Sequence, residues 1–287
     1  MPRAEWSFPA IGTEWHLDSS RVFTAVLQDT IRTTVAAFDL AWSRFRDDSF
    51  VSELRRSPGR HELPPDGPAL LAFYRRLHQL TDGAVTPLVG GPLERLGYGA
   101  DYRLTPDGPA ESAPAFESVA IDGGQIETGG HVLVDVGAAG KGRLVDLIAE
   151  DLRAAGHDDF VVDGSGDLLV AGAEAPLRIA LEDPRDPRNA IGVARVGNGA
   201  LCASAVNRRA WGQDLHHIID GRTGEPTRDV TATWVVADSA MVADGLATAL
   251  FFADAPRLSA AFDFHYVRMY AGGQADWSLG FDGEVFR

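Results

Sequence analysis

The chain is 287 residues long with 45% hydrophobic and 23% charged residues, a globular composition that excludes a disordered, fibrous or low-complexity protein. Its 26 Lys and Arg against 41 Asp and Glu give a formal charge of −15 without a compensating basic run, which argues against a nucleic-acid partner. A polyphosphate ligand stays compatible with that charge when a divalent cation and backbone amides supply the positive field.

A single cysteine, Cys202, rules out an internal disulfide and any multi-cysteine metal cluster. Within LCASA it reads as a small buried hydrophobe rather than a nucleophile. The first 15 residues carry Glu5 and lack the apolar run of an export signal. No window approaches the ~18 apolar residues of a membrane span. A cytoplasmic protein without stable membrane insertion is therefore expected. At this length one domain over residues 1–287 is expected, divided at most into two closely joined lobes.

In chain order, Leu27, Ile31, Val35, Phe38 and Trp42 recur at three- or four-residue intervals, which predicts a helix over residues 21–42 with Ser19 or Ser20 as its N-cap. A Pro/Gly loop (57–69) precedes a second helix through Leu70, Phe73, Leu77 and Leu80, which T-D-G (81–83) stops. Residues 104–116, rich in Pro, Ala and Ser, read as an exposed connection. Strand-like runs follow at 131–136 and 160–163, separated by a helix at 143–156 with Gly156 as its C-terminal cap. Further strands are expected at 167–172, 177–181, 191–196, 233–238 and 264–270, and a helix over 239–253. Strands and helices mixed without a steady alternation predict an α+β fold, with mixed β-sheets and packed helices.

Four segments carry candidate chemistry. Residues 134–146 (VDVGAAGKGRLVD) pass from strand to helix through small residues and Lys141, so that backbone groups and a helix start can approach a phosphate. This is not a P-loop, because Asp135 and Gly142 stand where that motif needs Gly and a hydroxyl. A tight turn with a solvated lysine fits the segment equally well. DGSGD (163–167) reads as a polar hairpin turn and lacks the third glycine and helix of a dinucleotide fingerprint. In HHIIDGRTGEP (216–226) an extended backbone sends His216 and His217 to opposite faces, so one of them alone can face a site. In ADGLAT (243–248) Asp244 and Thr248 stack on one helix face, their oxygens within reach of one hard cation. The alternative there is a helix-terminal acid and an unrelated threonine.

Taken in order, G-T-x-W (12–15), F-D-x-x-W-S-R-F-x-x-D-S (38–49), T-D-G-A-x-x-P (81–87), D-V-G-A-A-G-K-G (135–142), G-S-G-D (164–167), H-I-I-D-x-x-T-G-x-P (217–226) and A-D-G-L-A-T-A-L (243–250) resemble the ApbE family, from about Ile11 to Phe252. The resemblance implies an FAD:protein FMN transferase that uses Mg2+, holds FAD in a cleft between two lobes, and moves FMN onto a threonine of an acceptor protein with release of AMP. It assigns the metal to the main-chain carbonyl of Ala138 and the side chains of Asp244 and Thr248, with Ala247 beside them. It assigns FAD to Ile11, Phe45, Ala84, Val85, Thr86, Asp135, Lys141, His217 and Ile218.

Within that reading Lys141 and local amides hold the pyrophosphate. His217, neutral at pH 7 with an ordinary pKa of about 6.5, is the first candidate to accept the hydroxyl proton. Asp220 and Asp135 are alternatives. The family commonly has Met where this chain has Ile11, Tyr where it has Phe45, and Phe-Asp where it has Val85-Thr86. Ser204 matches a family position near the flavin. Two further activities suit the same residues: an FAD pyrophosphatase giving FMN and AMP, and a non-catalytic FAD-binding protein.

Overall fold

The computed structural model of the chain describes residues 3–286. The first half contains β1 (Ala4–Ala10), β2 (Thr13–Ser19), α1 (Ala25–Trp42), α2 (Phe50–Arg56), β3 (Arg60–Glu62), α3 (Gly67–Leu80), α4 (Gly90–Arg95), β4 (Val119–Asp122) and β5 (Gln125–Thr128). Next come α5 (Gly140–Ala154), β6 (Phe160–Asp163), β7 (Asp167–Ala171), β8 (Leu177–Glu182), β9 (Ala190–Val196), β10 (Gly199–Ala205), β11 (Ala210–Trp211) and β12 (Leu215–His216). The chain closes with β13 (Val230–Ala237), α6 (Ala240–Ala249), α7 (Ala255–Ser259), β14 (His265–Tyr270), β15 (Ala275–Trp277) and β16 (Gly283–Val285).

An eight-stranded sheet in the order β1-β2-β6-β7-β10-β13-β14-β15 forms the frame, and each neighbouring pair in it is antiparallel. Side-chain alternation along the central strands explains what packs where. Leu169, Cys202 and Val235 face Leu144, Ile148 and Leu246 of the helices. Their neighbours Leu168, Leu201 and Trp234 face the opposite way, onto Leu181, Ala194 and Val196 of the small sheet β16-β9-β8. Both faces are thus buried, which is why these strands read as continuous apolar runs. Each fully buried Leu or Val contributes roughly 1.5–3 kcal/mol. The α+β expectation therefore holds.

Two local readings differ. Helix α1 starts at Ala25 with Thr24 as N-cap, its hydroxyl accepting from the Leu27 amide. Ser19 is already committed elsewhere: it ends β2, and its hydroxyl bonds His157 Nδ1 at 2.7 Å and the Asp159 carbonyl at 2.9 Å. Residues 131–136, with Val132, Leu133, Val134 and Val136 buried, belong to no sheet. The Asp135 amide donates instead to the Pro87 carbonyl at 2.7 Å, so a loop-to-loop contact replaces a ladder. Most of residues 104–116 are exposed, as expected, although Phe116 is buried, and the Ala113 amide ties that connection to the Gly221 carbonyl at 2.7 Å. No helix among the described residues is long and apolar enough to cross a membrane.

Helices α5 and α6 cross so closely that a Cβ on Gly142 would lie 2.2 Å from the Ala240 carbonyl oxygen, a position no other residue can occupy without moving a backbone. Asp146 of α5 caps α6, accepting from the Ala240 and Met241 amides and the Ser239 hydroxyl at 2.8–3.0 Å. On the sheet side, the Thr233 hydroxyl donates to the Ala247 carbonyl at 2.6 Å. Helix α6 is therefore fixed at its start and along its back, and its remaining face carries Asp244 and Thr248.

Candidate active site

Those two residues open onto a cavity of about 860 Å³, near the upper end of the range for small-molecule sites. Its wall gathers turns from widely separated parts of the chain. Ile11, Phe45, Ala84, Val85, Thr86, Asp135, Lys141, His217 and Ile218 all line it, as do Ala138, Asp244 and Thr248. Ser204 joins them, its hydroxyl 3.5 Å from that of Thr248.

Local chemistry explains the placement. Ile11 and Gly12 close the β1–β2 hairpin with φ of 42° and 81°, the primed geometry that matches strand twist. A β-branched residue there costs roughly 1–2 kcal/mol, and it sits on the cavity wall. The DGSGD segment is the β6–β7 hairpin turn, with Ser165 and Gly166 at positive φ. Its Ser165, Gly166 and Asp167 also line the cavity, so hairpin and site roles coincide.

Lys141 does not stand free. Its ammonium is 2.9 Å from the buried Asp167 carboxylate. Burial pulls its pKa down, but Asp167 and Asp244 outweigh that and hold it above the usual lysine value. The pairing leaves Lys141 less charge to offer a phosphate than the sequence suggests.

Asp135 is likewise occupied. Its Oδ2 accepts from Arg44 Nε at 2.5 Å and its Oδ1 from the Gly137 amide at 2.6 Å. Burial pushes this carboxyl up, yet Arg44 and Gly137 hold it below the usual carboxylate range. Arg44, itself almost fully buried, also donates to the Tyr98 carbonyl at 2.8 Å, and its guanidinium lies 4.3 Å from the Phe45 ring centre. Phe45 in turn stacks on Tyr102, with ring centres 5.5 Å apart.

Asp244 is different. Its Oδ2 accepts the Gly142 amide at 2.9 Å, and no cation pairs with it among the described residues. Burial and the neighbouring Asp167 charge raise its pKa well above the carboxylate value. Tyr74, fully buried on α3, holds the adjacent turn by accepting the Ala138 amide at 3.1 Å. One carboxylate, one hydroxyl and one peptide carbonyl make an all-oxygen donor set suited to a hard divalent ion. No group of three His, Cys, Asp or Glu side chains among the described residues is arranged to hold a metal.

Two expected site residues lie elsewhere. Ala247 is off the cavity wall, with its carbonyl engaged by Thr233 on the sheet side of α6, so it does not join the oxygen donors. Asp220 is also off the wall, and Arg222 grips both its oxygens at 2.5–3.1 Å, which holds its pKa below the usual value despite partial burial. Its oxygens are engaged by Arg222 rather than turned to the cavity. His216 and His217 do diverge: His216 is buried against the Thr227 carbonyl at 2.9 Å, whereas His217 faces the cavity. His217 Nδ1 is buried without a partner among the described residues, and burial, aided by Arg209, lowers the ring pKa to about 3. Cys202 is fully buried, and burial and Asp167 raise its thiol pKa well above normal, as suits a packed side chain rather than a nucleophile.

Sequence reasoning passed over Arg44, Tyr74, Asp167 and Arg209 as site residues. Arg44 lies inside a motif segment next to Phe45, and that adjacency was the available signal.

The ApbE family profile matches residues 11–268, and the chain belongs to that family. Among individual proteins, the FAD:protein FMN transferase of Rhodobacter capsulatus is 32% identical over 219 residues, 69% of this chain, which spans only 41% of that longer protein. The FAD:protein FMN transferase of Vibrio cholerae is 28% identical over 265 residues, covering 85% of this chain and 79% of the relative. The fold is that of the Vibrio cholerae flavin transferase ApbE (TM-score 0.81, 24% identity, 98% and 99% of the two chains). It is equally that of the Thermotoga maritima ApbE protein (TM-score 0.83, 23% identity, 96% and 97%).

Proposed function

We propose that this chain is an FAD:protein FMN transferase, which moves FMN from FAD onto a threonine hydroxyl of an acceptor protein and releases AMP. The observation that carries the reading is the convergence, on one cavity, of a buried carboxylate at Asp244 with no ion-pair partner among the described residues, the Thr248 hydroxyl one turn along the helix, and the residues that the family resemblance gives to FAD. The names of the relatives from Rhodobacter capsulatus and Vibrio cholerae support it.

In the proposed reaction the threonine oxygen attacks the FMN-side phosphorus. A new P–O bond forms to threonine, the bridging P–O bond breaks, and AMP departs with the bridging oxygen. Asp244, Thr248 and the Ala138 carbonyl would hold Mg2+, which supplies charge neutralisation at the pyrophosphate when bound. The Lys141–Asp167 and Arg44–Asp135 pairs fix the two glycine-containing turns that shape the wall. Their preset geometry spares the site reorganisation during reaction.

His217 accepts the hydroxyl proton late. With a pKa near 3 it is a weak base and stays neutral at pH 7. Its neutral ring therefore serves mainly to orient the attacking O–H.

The test is intact-mass measurement of a co-expressed protein bearing an acceptor threonine. The expected result is a mass increase of one FMN less one water, absent when that threonine is Ala. Free FMN and AMP appearing from FAD with the acceptor unmodified would assign hydrolysis instead, and FAD binding without any AMP would assign a carrier.

A further inference from the structure

The charges lining the cavity cancel in local pairs, with two exceptions. Arg44 meets Asp135 at 2.5 Å, Lys141 meets Asp167 at 2.9 Å, Arg208 meets Glu182 at 3.1 Å, and Asp39 meets Arg46 at 2.8 Å. Among the described residues, Asp244 has only the Gly142 amide as a hydrogen-bond partner. Arg209 lines the same cavity and, among the described residues, makes no ion pair and no side-chain hydrogen bond. One anion and one cation are thus left for a ligand. Asp244 suits a divalent metal, and a free guanidinium suits the opposite partner.

The backbone keeps Arg209 where that charge counts. It directly precedes β11, whose Ala210 pairs with His216 of β12, and its carbonyl accepts the His217 amide at 3.2 Å. Guanidinium and imidazole therefore arise from facing positions of one short ladder. The positive charge also reaches across the cavity: it lowers the pKa of His217 and acts in the same direction on Asp135, Asp244 and Tyr98, alongside the larger effect of burial on each.

We propose that Arg209 is the side chain that binds the pyrophosphate of the dinucleotide, a role that the sequence pattern gives to Lys141. A guanidinium can present two parallel N–H donors to phosphate oxygens, and it cannot lose its charge in a protein. This inference rests on the transferase reading, in that it takes FAD as the ligand.

The experiment compares FAD with riboflavin, which carries the same ring system without phosphate. Affinities are measured by flavin fluorescence in chelator, so that metal plays no part, for wild type, Arg209→Gln, Arg209→Lys and Arg208→Gln. Arg209→Gln should weaken FAD by about tenfold to a hundredfold, the range for one charge-assisted contact. Its riboflavin affinity should stay within twofold of wild type, which also shows that the cavity is intact. Arg209→Lys should recover part of the loss, and Arg208→Gln, whose native guanidinium is paired with Glu182, should weaken FAD less than Arg209→Gln does. The Arg209→Gln deficit should shrink as salt rises.

Equal FAD affinity in wild type and Arg209→Gln, or an equal loss for both flavins, overturns the inference while leaving the transferase reading in place. Wild type that binds no FAD in either chelator or Mg2+ overturns both.

Discussion

Asp135 and Asp244 line the same cavity, and the fold treats them in opposite ways. Asp135 receives a guanidinium and a backbone amide, which keep it ionised in spite of burial. Asp244 receives one amide and faces a second acid, Asp167, so burial drives its pKa up. A carboxylate given its own cation is part of the scaffold, because the folded chain alone satisfies it. A carboxylate left without one is stable as an anion only when something from solution joins it. The same contrast separates Lys141, already paired, from Arg209, which has no ion-pair partner among the described residues.

The sharpest way to break this comparison is to remove each acid's distinguishing feature. Asp244→Ala should lower Mg2+-dependent turnover by on the order of 10³-fold, since metal stabilisation of a transferring phosphoryl group is worth several kcal/mol. Turnover assays across a Mg2+ series check this, and retained activity at low Mg2+ would remove Asp244 from the metal site. Arg44→Met should instead act on stability. It leaves Asp135 buried without its cation, at a cost of about 3–5 kcal/mol by denaturant unfolding, whereas Asp244→Asn should cost no more than about 1 kcal/mol because an amide oxygen still accepts from Gly142. Similar losses from the two substitutions would erase the distinction.

Smaller effects sharpen it further. Thr248→Val removes a neutral oxygen donor, and the Mg2+ concentration for half-maximal activity should rise about tenfold, as for the loss of one ordinary polar contact. An unchanged requirement would show that the hydroxyl is not a ligand. His217 gives a pH signature. Its folded pKa of about 3 lies below the 6.5 of the unfolded ring, so the unfolded chain takes up the proton first as pH falls. Stability should therefore be full above pH 6.5 and decline toward pH 3. Unfolding measured at pH 7.5 and 4.5 should show a difference smaller by roughly 1–2 kcal/mol in His217→Gln than in wild type. Equal differences would mean that the ring is freely protonated in the native state.

How much of this was legible beforehand depended on whether a feature was local. Helices α5 and α6 follow from apolar spacing, and Asp244 with Thr248 from their four-residue separation, because both depend on a single helix. Residues 131–136 read as a strand since their apolar pattern is real, but a strand also needs a partner, and the Pro87 carbonyl takes the Asp135 amide instead. Strands β1 and β2 went unread although they alternate as half-buried strands do, with Phe8, Trp15 and Leu17 inward and Glu5, Pro9 and His16 outward, and their hairpin contributes Ile11 to the cavity.

All but Ala247 of the residues that the resemblance assigns to FAD and metal line the same cavity, yet the resemblance left the charge state of each unread. Lys141 is paired with Asp167, whereas Arg209 makes no ion pair among the described residues, and Asp167 comes from another turn of the fold. Asp220 and Ala247 misled for the same reason: each has the right chemistry in sequence, but Arg222 and Thr233 already occupy the relevant oxygens.

The most direct test of the central claim, that Asp244 is a carboxylate waiting for a divalent ion beside a bound dinucleotide, is calorimetric titration of Mg2+ into the protein saturated with FAD. The account predicts a saturable binding isotherm in wild type that disappears in Asp244→Asn while FAD remains bound. An isotherm unchanged by that substitution would contradict it.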